Sequence, residues 1–347
     1  MVTQEQIADK LGVSRQLVTF ALAGYPQVSK ASRQRILATA QEMGYRPNPH
    51  ARALRRGRTG IIALWIPNQI SSHYAHVARE LNLLVKQAQH ELIVSEVDSN
   101  SSEAVLSHVP VDGIIAVDAP ERTRTYLQAS GARAMPIISI GAGCWEKTDF
   151  VRVDLQAGTA KVMEHLLDAG YRRIMHATFM EKNVPQAGRR MGYCHAMEKA
   201  GLPPEFLYYP LSGHQRSVVR QLIQDYVRQH GCPEAVFCHS DDVALGAYRG
   251  LCDLKLRVPA DVALVGCDGI QDTEYLECPL TTLAQPVAKM CETAWHFLER
   301  RLARPSVKKQ QLVLEPVLQI RESTARQSPF WPVLSGRKLQ FEAGYQA

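Results

Sequence analysis

The sequence predicts a small all-α head that contains a helix-turn-helix, followed by an α/β body of two doubly wound parallel-sheet subdomains. Three short helical patterns with capping residues fill the first 47 residues. From Gly60 onward, apolar strand patterns alternate with amphipathic helix patterns, and this alternation occurs in two successive series. Such alternation is typical of parallel sheets with both faces covered. A length of 347 residues suits a small module plus one or two larger domains.

The positive charge of the chain is concentrated at its N-terminal end. Residues 1–60 contain ten Lys or Arg against three Asp or Glu, a net charge of +7, so the other 287 residues sum to −1. This asymmetry is typical of a polyanion-binding head on a neutral body. A solvated basic tail would carry the same charge. The basic residues are interleaved with a helical apolar pattern, however, which favours a folded head.

Capping residues mark the start of each helix predicted in the head. Thr3 and Gln6 have the spacing of a capping box, Ser14 can cap a second helix after a stop at Gly12, and Ser29 can cap a third. The short turn between the first two helices predicts a helix-turn-helix, whose second helix enters the DNA major groove. The apolar positions predicted to face inward are Ile7, Ala8, Leu11, Leu17, Val18, Ala21, Leu22, Ile36, Leu37, Ala40 and Met43.

The ordered run "IADKLGVSRQLVTFALAG…VSKASRQRILATAQEMGYRPNPHARALRRGRT" resembles the DNA-binding head of the LacI/GalR (lactose-repressor) transcription factors. The resemblance implies that Arg15 and Gln16 open the recognition helix and touch bases, where Arg suits guanine and Gln suits adenine. Phe20 departs from the family, which usually has an arginine there; a phenyl ring can pack on a thymine methyl or turn into the core. The full set of DNA-contacting residues that the resemblance implies is Arg15, Gln16, Thr19, Phe20, Ser29, Asn48, His50, Ala51, Leu54 and Arg55.

Residues 48–59 are predicted to form a hinge helix or linker. Asn48 is a good N-cap, Pro49 fits the first helical position, and Gly57 ends two helical turns. So short a helix is marginal in water. The family resemblance implies that DNA orders it and that Leu54 wedges between central base pairs in the minor groove. The alternative is a flexible linker whose Leu54 rests on the body.

The body pattern places polar or small residues at the predicted strand ends, where ligands of open α/β sheets bind. The motifs "HLLDAGYRRI", "SDDVALGA" and "RVPADVALVGCDGI" resemble the periplasmic-binding-protein-like core of the same family, and the resemblance continues to Ala325. It implies an effector site of Tyr74, Arg189, Ser240 and Asp268, with the last three in the second subdomain. A planar cation, an anion and an aromatic wall suit a polyol or sugar.

Several neighbouring residues have competing interpretations. Asp241 is better explained as a helix N-cap than as a residue that contacts the effector. Asp154 could equally well have a structural role at a strand end or line the pocket. Arg189 and Asp268 are expected on opposite sides of one cleft. His73 and Trp145 lie near the cleft by topology alone, and neither is assigned to the site.

The predicted function is a sequence-specific DNA-binding regulator, a repressor, whose operator affinity is controlled by a small carbohydrate-like effector bound between the subdomains. The alternatives are a secreted sugar-binding protein and a DNA-tethered sugar enzyme. The polar N-terminus lacks an apolar signal region, so a cytoplasmic location is expected and export is not. The sequence shows no nucleophile–base motif, so no enzyme activity is expected. Neither a cofactor nor a metal is expected, since the eight cysteines form no CxxC pair.

The predicted partners are a palindromic double-stranded operator and a second copy of the chain, with no membrane. A single head carries too few base-reading side chains for operator-level affinity, which favours a homodimer. The predicted domains are 1–47 (head), 48–59 (hinge), 60–325 (body) and 326–347 (an extra tail without leucine heptads). Within the body the expected subdomains are 60–155 plus 286–310 and 156–285 plus 311–325.

Overall fold

The computed structural model describes residues 2–45, 58–97, 110–131, 134–179, 188–210 and 214–325. The chain separates into two compact units, Met1–Gly60 and Ile61–Ala347. The predicted hinge residues Asn48, His50, Ala51, Leu54 and Arg55, and the tail 326–347, lie outside the described residues.

The described residues of the first unit form three helices: α1 (Gln4–Leu11), α2 (Arg15–Leu22) and α3 (Lys30–Glu42). The capping box is present, since the Gln6 backbone N–H donates to Thr3 Oγ1 at 3.3 Å and the Thr3 N–H donates to Gln6 Oε1 at 2.9 Å. Gly12 ends α1 with φ +64°, a left-handed conformation that favours glycine. Ser14 and Ser29 cap α2 and α3 through Leu17 N–H and Ser32 N–H.

A small apolar core joins the three helices of the head. Ile7, Val18 and Ile36 are buried at its centre, one from each helix. Leu37 was predicted to face inward but is 45% exposed, because the buried face of α3 is formed by Ile36, Thr39 and Ala40 instead. The apolar pattern of α3 therefore predicted the helix correctly, but it was wrong about the burial of Leu37.

In the part of the second unit that the structure describes there are two six-stranded sheets, in the orders β11-β5-β4-β3-β1-β2 and β12-β10-β9-β8-β6-β7. The pairings between these described strands are all parallel except β10–β12. The strands are β1 (Ile61–Ile66), β2 (Glu91–Glu96), β3 (Gly113–Val117), β4 (Ile137–Gly141), β5 (Asp149–Val153), β6 (Ile174–Phe179), β7 (Glu205–Tyr209), β8 (Ala235–Cys238), β9 (Ala263–Asp268), β10 (Thr281–Ala284), β11 (Gln311–Leu314) and β12 (Val317–Gln319). The helices are α4 (Ser72–Gln87), α5 (Pro120–Ser130), α6 (Leu155–Asp168), α7 (Gly188–Lys199), α8 (Gln215–His230), α9 (Asp241–Asp253) and α10 (Val287–Ala303).

Helices cover both faces of the second sheet. Val265 of β9 packs in one apolar core cluster, whereas its neighbour Leu264 packs in another. Because successive strand residues point to opposite faces, both faces are buried, as a parallel sheet requires. The doubly wound α/β class predicted from the sequence is confirmed.

The chain crosses between the two subdomains three times. It passes from β5 to α6, returns from β10 to α10, and passes again from β11 to β12. Residues 311–314 were assigned to the second subdomain, and this assignment is wrong. They form β11, which pairs in parallel with β5 of the first sheet, so the last crossing falls at Glu315–Pro316. Among the described residues, no helix is long and apolar enough to cross a membrane.

Candidate functional site

The N-terminus of α2 presents two exposed side chains, Arg15 and Gln16. Because Ser14 caps the helix, its first turn begins at a defined position and both residues lie on that turn. Arg15 makes only a loose ion pair with Glu5, with Nη1–Oε2 at 3.7 Å and both side chains about two-thirds exposed. Both side chains are therefore available to a partner, as the family resemblance implies.

Thr19 and Phe20, which were also predicted to contact DNA, make contacts within the head. Thr19 was predicted to contact DNA, but it is 6% exposed, and its hydroxyl donates to Gln4 Oε1 at 2.8 Å. This bond ties α2 to α1, so the structure gives Thr19 a structural role. Phe20 packs partly against the head core and lies 5.1 Å from the ring of Tyr25. This contact favours the core role of the two that the sequence leaves open for Phe20.

Ser29 is exposed at the start of α3, where its hydroxyl donates to Ser32 Oγ at 2.9 Å. Its side chain also caps the helix, so it is committed to local structure while it remains accessible. The helix N-terminus beside it carries a partial positive charge that favours a phosphate.

The first subdomain contributes Tyr74 and Asp118 to a polar cluster in the body. Tyr74 lies near the N-terminus of α4, and Asp118 follows β3 with φ +46°. The Tyr74 hydroxyl donates to Asp118 Oδ2 at 3.3 Å, and the Gly143 N–H donates to Asp118 Oδ1 at 2.7 Å. Burial and the neighbouring Asp118 both raise the pKa of Tyr74, so it stays a neutral hydroxyl.

His73 lies beside Tyr74 and is only 4% exposed. Among the described residues neither of its ring nitrogens has a hydrogen-bond partner. Burial lowers its pKa to about 4, and Arg189 adds to this effect, although Asp118 and two carboxylates of α9 oppose it. Buried polar groups are nearly always paired. A neutral imidazole with two free nitrogens is therefore a group that a bound ligand can satisfy.

The second subdomain contributes Arg189, near the N-terminus of α7, and Asp268 at the end of β9. Arg189 Nη2 donates to Asp268 Oδ1 at 3.3 Å, and both side chains are buried. The expectation that they lie on opposite sides of a cleft is therefore wrong. They form one ion pair on one wall, because the Arg189 side chain reaches the last two residues of β9, Cys267 and Asp268. Gln285 also donates to Asp268 Oδ1, at 2.8 Å, and its own Oε1 has no partner among the described residues.

The charges of this ion pair are set by burial and by each other. Burial opposes the positive charge of Arg189, but Cys267 and Asp268 outweigh it, and the pKa of the guanidinium is raised. Burial raises the pKa of Asp268 to about 7, against the opposing effects of Arg189 and the Gln285 hydrogen bond. This wall of the cluster thus pairs a permanent planar cation with a carboxyl group that is costly to ionise.

Ser240 and Asp241 have structural roles at the start of α9. Ser240, predicted to contact the effector, is the N-cap, and its Oγ accepts from Val243 N–H at 3.2 Å. The interpretation of Asp241 as the N-cap is therefore wrong. Its buried carboxylate accepts from Gly269 N–H, Ile270 N–H and Thr282 Oγ1 at 2.7–2.9 Å. It holds the turn that follows Asp268, whose φ of +123° is unusual for a residue with a side chain.

Asp154 is the N-cap of α6, accepting from Ala157 N–H at 3.1 Å, which favours its structural interpretation.

The sequence did not identify His239 and Gln285 as members of the polar cluster, and it left His73 unassigned. His239 directly follows β8, and Gln285 directly follows β10. Their positions at the carboxyl ends of parallel strands are the signal that would have found them.

A second set of contacts joins the subdomains beside this cluster. The Ser72 N–H and hydroxyl, at the first turn of α4, donate to Asp242 at 3.1 and 3.3 Å. Arg216 donates to the same carboxylate at 2.6 Å and to Ser72 Oγ at 2.8 Å. A carboxylate of the second subdomain therefore caps a helix of the first, and this contact holds the two subdomains together.

Two family models match the chain. The model described as "Bacterial regulatory proteins, lacI family" matches residues 3–48, and the "Periplasmic binding protein-like domain" matches residues 163–324. Among the described residues, no group of three or more His, Cys, Asp or Glu is arranged to hold a metal ion.

Characterised relatives and solved structures resemble almost the whole chain. The ribose operon repressor of Haemophilus influenzae is 28% identical over 331 residues, covering 93% of this chain and 98% of the relative. The transcriptional regulator CelR–cellobiose complex is 26% identical, with a TM-score of 0.64, and covers 93% of this chain and 100% of that one. A regulator from Silicibacter pomeroyi, 23% identical, shares the fold with a TM-score of 0.79, covering 94% of this chain and 100% of that one.

The helix-turn-helix, the two-sheet body and these matches together define a class of protein, a DNA-binding transcription regulator with a periplasmic-binding-protein-like body. Within that class, the chain combines a LacI-family helix-turn-helix domain with a periplasmic-binding-protein-like domain, and it is similar over almost its whole length to repressors of the LacI family.

Proposed function

We propose that this chain is a transcription repressor that binds a palindromic operator as a homodimer and changes its operator affinity when a small polyhydroxylated ligand binds in the body. The observation that carries the proposal is the cluster of buried, unpartnered polar atoms of His73 and Gln285 beside the Arg189–Asp268 pair. Atoms of this kind are normally satisfied. A ligand with several hydroxyl groups offers both donors and acceptors to them.

The DNA contacts that we propose begin with Arg15 and Gln16, which can read guanine and adenine in the major groove. Ser29 would contact a phosphate. The hinge residues named from the sequence, with Leu54 as a minor-groove wedge, remain part of the proposal. Two copies of the chain would double a small set of base contacts, which a palindromic site matches.

The ligand class that we propose is an uncharged sugar or sugar derivative. The ionisable groups of the cluster are one guanidinium, two carboxyls (Asp118 and Asp268) and histidines that burial keeps neutral. Such a site offers a phosphate or carboxylate no unpaired positive charge. The names of two relatives contain ribose and cellobiose, and these are the first ligands to test.

We also propose that the chain is not an enzyme. The carboxylate of Asp241 is buried and accepts from three donors of the protein, and Asp268 is paired with Arg189, so neither is poised to act on a bound sugar as a general base.

The experiment is a gel-shift titration of the full chain on DNA selected from a random palindrome library, with and without D-ribose, cellobiose, a sugar phosphate and a purine. We expect tight binding to one palindrome, and a 5–150-fold change of affinity, roughly, with one neutral sugar. If no DNA is selected, the proposal that the chain is an operator-binding repressor is rejected. A response to the sugar phosphate or purine alone would reject the proposed ligand class, and turnover of the sugar would reject the non-enzyme proposal.

A further inference from the structure

Arg189 contacts three residues at the carboxyl ends of two neighbouring strands of the second sheet, β8 and β9. Its Nε–H donates to Cys267 Sγ at 3.2 Å, Nη2 donates to Asp268 Oδ1 at 3.3 Å, and Nη1 lies 3.1 Å from Nε2 of His239. His239 follows β8, directly beside β9, which carries the other two residues. His239 is therefore the only one of the three partners that reaches the guanidinium from a different strand.

The chemistry of arginine fixes the state of His239. A guanidinium has N–H donors and no acceptor, so the contact is a hydrogen bond only if His239 Nε2 is unprotonated. The proton must then sit on Nδ1, which lies 3.4 Å from Thr178 Oγ1 and can donate to it. A protonated imidazolium would lose the acceptor and place a second positive charge against Arg189.

We propose that His239 is a positioning residue for the ligand-binding arginine, acting as a neutral, Nδ1-protonated acceptor that fixes the Arg189 guanidinium in the cleft. The proposal rests on the proposed function, because it assumes that Arg189 contacts the ligand. It assigns a task to a residue that the effector-site motifs of the sequence do not include.

The surroundings of His239 hold the ring in the orientation that this task needs. Its ring lies edge-on to Phe179 at 4.7 Å, and His176 is stacked 6.5 Å away. Burial lowers the pKa of His239 well below its ordinary value, and the charge of Arg189 lowers it further. The ring is therefore neutral at pH 7.

The orientation of Arg189 determines what it can offer to a ligand. The three bonds use the Nε–H and one N–H on each terminal nitrogen. Two of the five N–H groups, one on each terminal nitrogen, have no partner among the described residues. Two fixed donors can bind two oxygens of one ligand, which is how planar recognition by arginine gains specificity. A guanidinium free to rotate would lose this selectivity.

The first test is the ¹⁵N NMR spectrum of histidine-labelled full-length protein without added ligand, in which His239→Gln identifies the His239 signals. We expect the signature of a neutral ring with a protonated Nδ1 and an unprotonated Nε2 at pH 7. A charged ring, or a ring protonated on Nε2, would overturn the proposal. This measurement needs no ligand, so its outcome is independent of the proposed function.

The second test compares two variants of His239. His239→Phe keeps the aromatic packing on Phe179 but has no acceptor, whereas His239→Gln keeps an acceptor close to the position of Nε2. We expect the Arg189 Nε–H to exchange with water about tenfold faster in His239→Phe than in the parent, and at the parent rate in His239→Gln. D-ribose and cellobiose are then titrated into the parent and both variants. We expect the affinity for the sugar that binds the parent to fall about tenfold in His239→Phe and to stay unchanged in His239→Gln.

Equal exchange rates in the Phe and Gln variants would overturn the positioning role. If the exchange rates separate as expected but neither sugar binds the parent protein, the proposed ligand is wrong and the positioning of Arg189 by His239 stands.

Discussion

Asp268 shows how a single residue position depends on several buried partners. Its backbone, at φ +123°, and the following Gly269, at φ +77°, form a turn that is held by the carboxylate of Asp241. Its side chain is held by Arg189 and Gln285. Backbone strain of this kind persists only where the surroundings over-determine it. The position of this carboxyl group is therefore set before any ligand arrives.

The neighbouring residues Arg189 and Arg190 provide a matched pair of variants. We predict that Arg189→Ala abolishes the change of operator affinity caused by the sugar, while the ligand-free operator affinity stays within about twofold of the parent. The reason is that a truncated guanidinium leaves Asp268 buried without its charge partner and removes the fixed donors. Arg190→Ala is the control, because Arg190 lies over the rings of Phe206 and Tyr208 instead. Gel-shift titration measures both.

A sugar response that persists in Arg189→Ala, or that is lost equally in Arg190→Ala, would contradict the assignment of the cleft. A melting temperature recorded for each variant separates loss of the response from loss of the fold.

The sequence predicted part of this site and not the rest for a physical reason. Arg189 and Asp268 lie in local motifs, so their type and position could be read along the chain. Their direct contact spans 79 residues and depends on how the tertiary fold brings the first turn of α7 within side-chain reach of the end of β9. His239 belongs to no motif, because its role comes from the distance to Arg189 across two strands.

At the scale of elements, the sequence predicted features that depend on neighbouring residues correctly and misassigned one feature that depends on distant residues. The caps at Thr3, Ser14 and Ser29 act within three residues, and all three occur as the sequence predicts. The pairing of β11 with β5 joins residues about 160 positions apart, and no local pattern in "QLVL" shows which sheet it enters. The sequence therefore predicted the elements well and misassigned this one strand.

The β11 connection is anchored by Asp149, the first residue of β5. Its carboxylate accepts from Arg301 of α10 at 2.8 and 2.9 Å and from Gln310 N–H at 2.8 Å. Burial favours the neutral form, but the Arg301 and Gln310 hydrogen bonds outweigh it and lower the pKa of Asp149. A folded-state pKa below the unfolded value near 4 makes this group stabilising above pH 4 or so. The stabilisation is lost as the pH falls through the folded pKa.

We predict that Asp149→Asn lowers the free energy of unfolding of the body by about 3 kcal/mol at pH 7, since one partner of a mostly buried pair is removed. The difference from the parent should stay constant from pH 8 to pH 5 and shrink below pH 4. Denaturant unfolding at pH 7 and pH 3 checks this. Glu146→Gln is the control, because its pair with Arg152 is about half exposed and should contribute under 1 kcal/mol, roughly. A constant difference at both pH values would contradict the role of the charge.

At the scale of the whole molecule, the chain separates its charges between two units. The net positive charge lies in the first 60 positions, while the rest of the chain is close to neutral and its cleft cation, Arg189, is paired with Asp268. Binding to a polyanion releases counterions and depends on salt, whereas a buried pair is screened little. Operator binding, as proposed, should therefore depend strongly on the salt concentration, whereas the proposed sugar binding should not.

We predict that raising the salt concentration from 50 to 200 mM weakens operator binding about a thousandfold or more, as six or more phosphate contacts require. Over the same range the affinity for the neutral sugar should change by less than about twofold, because neither the ligand nor the Arg189–Asp268 pair exposes net charge. Both salt dependences are measured on one preparation of the full chain. Calorimetric titration gives the affinity for the sugar, and gel-shift titration gives the affinity for the operator. A sugar affinity that fell in parallel with the operator affinity would indicate an anionic ligand and contradict the neutral cleft. An operator affinity insensitive to salt would mean that the basic residues of the head do not contact phosphates.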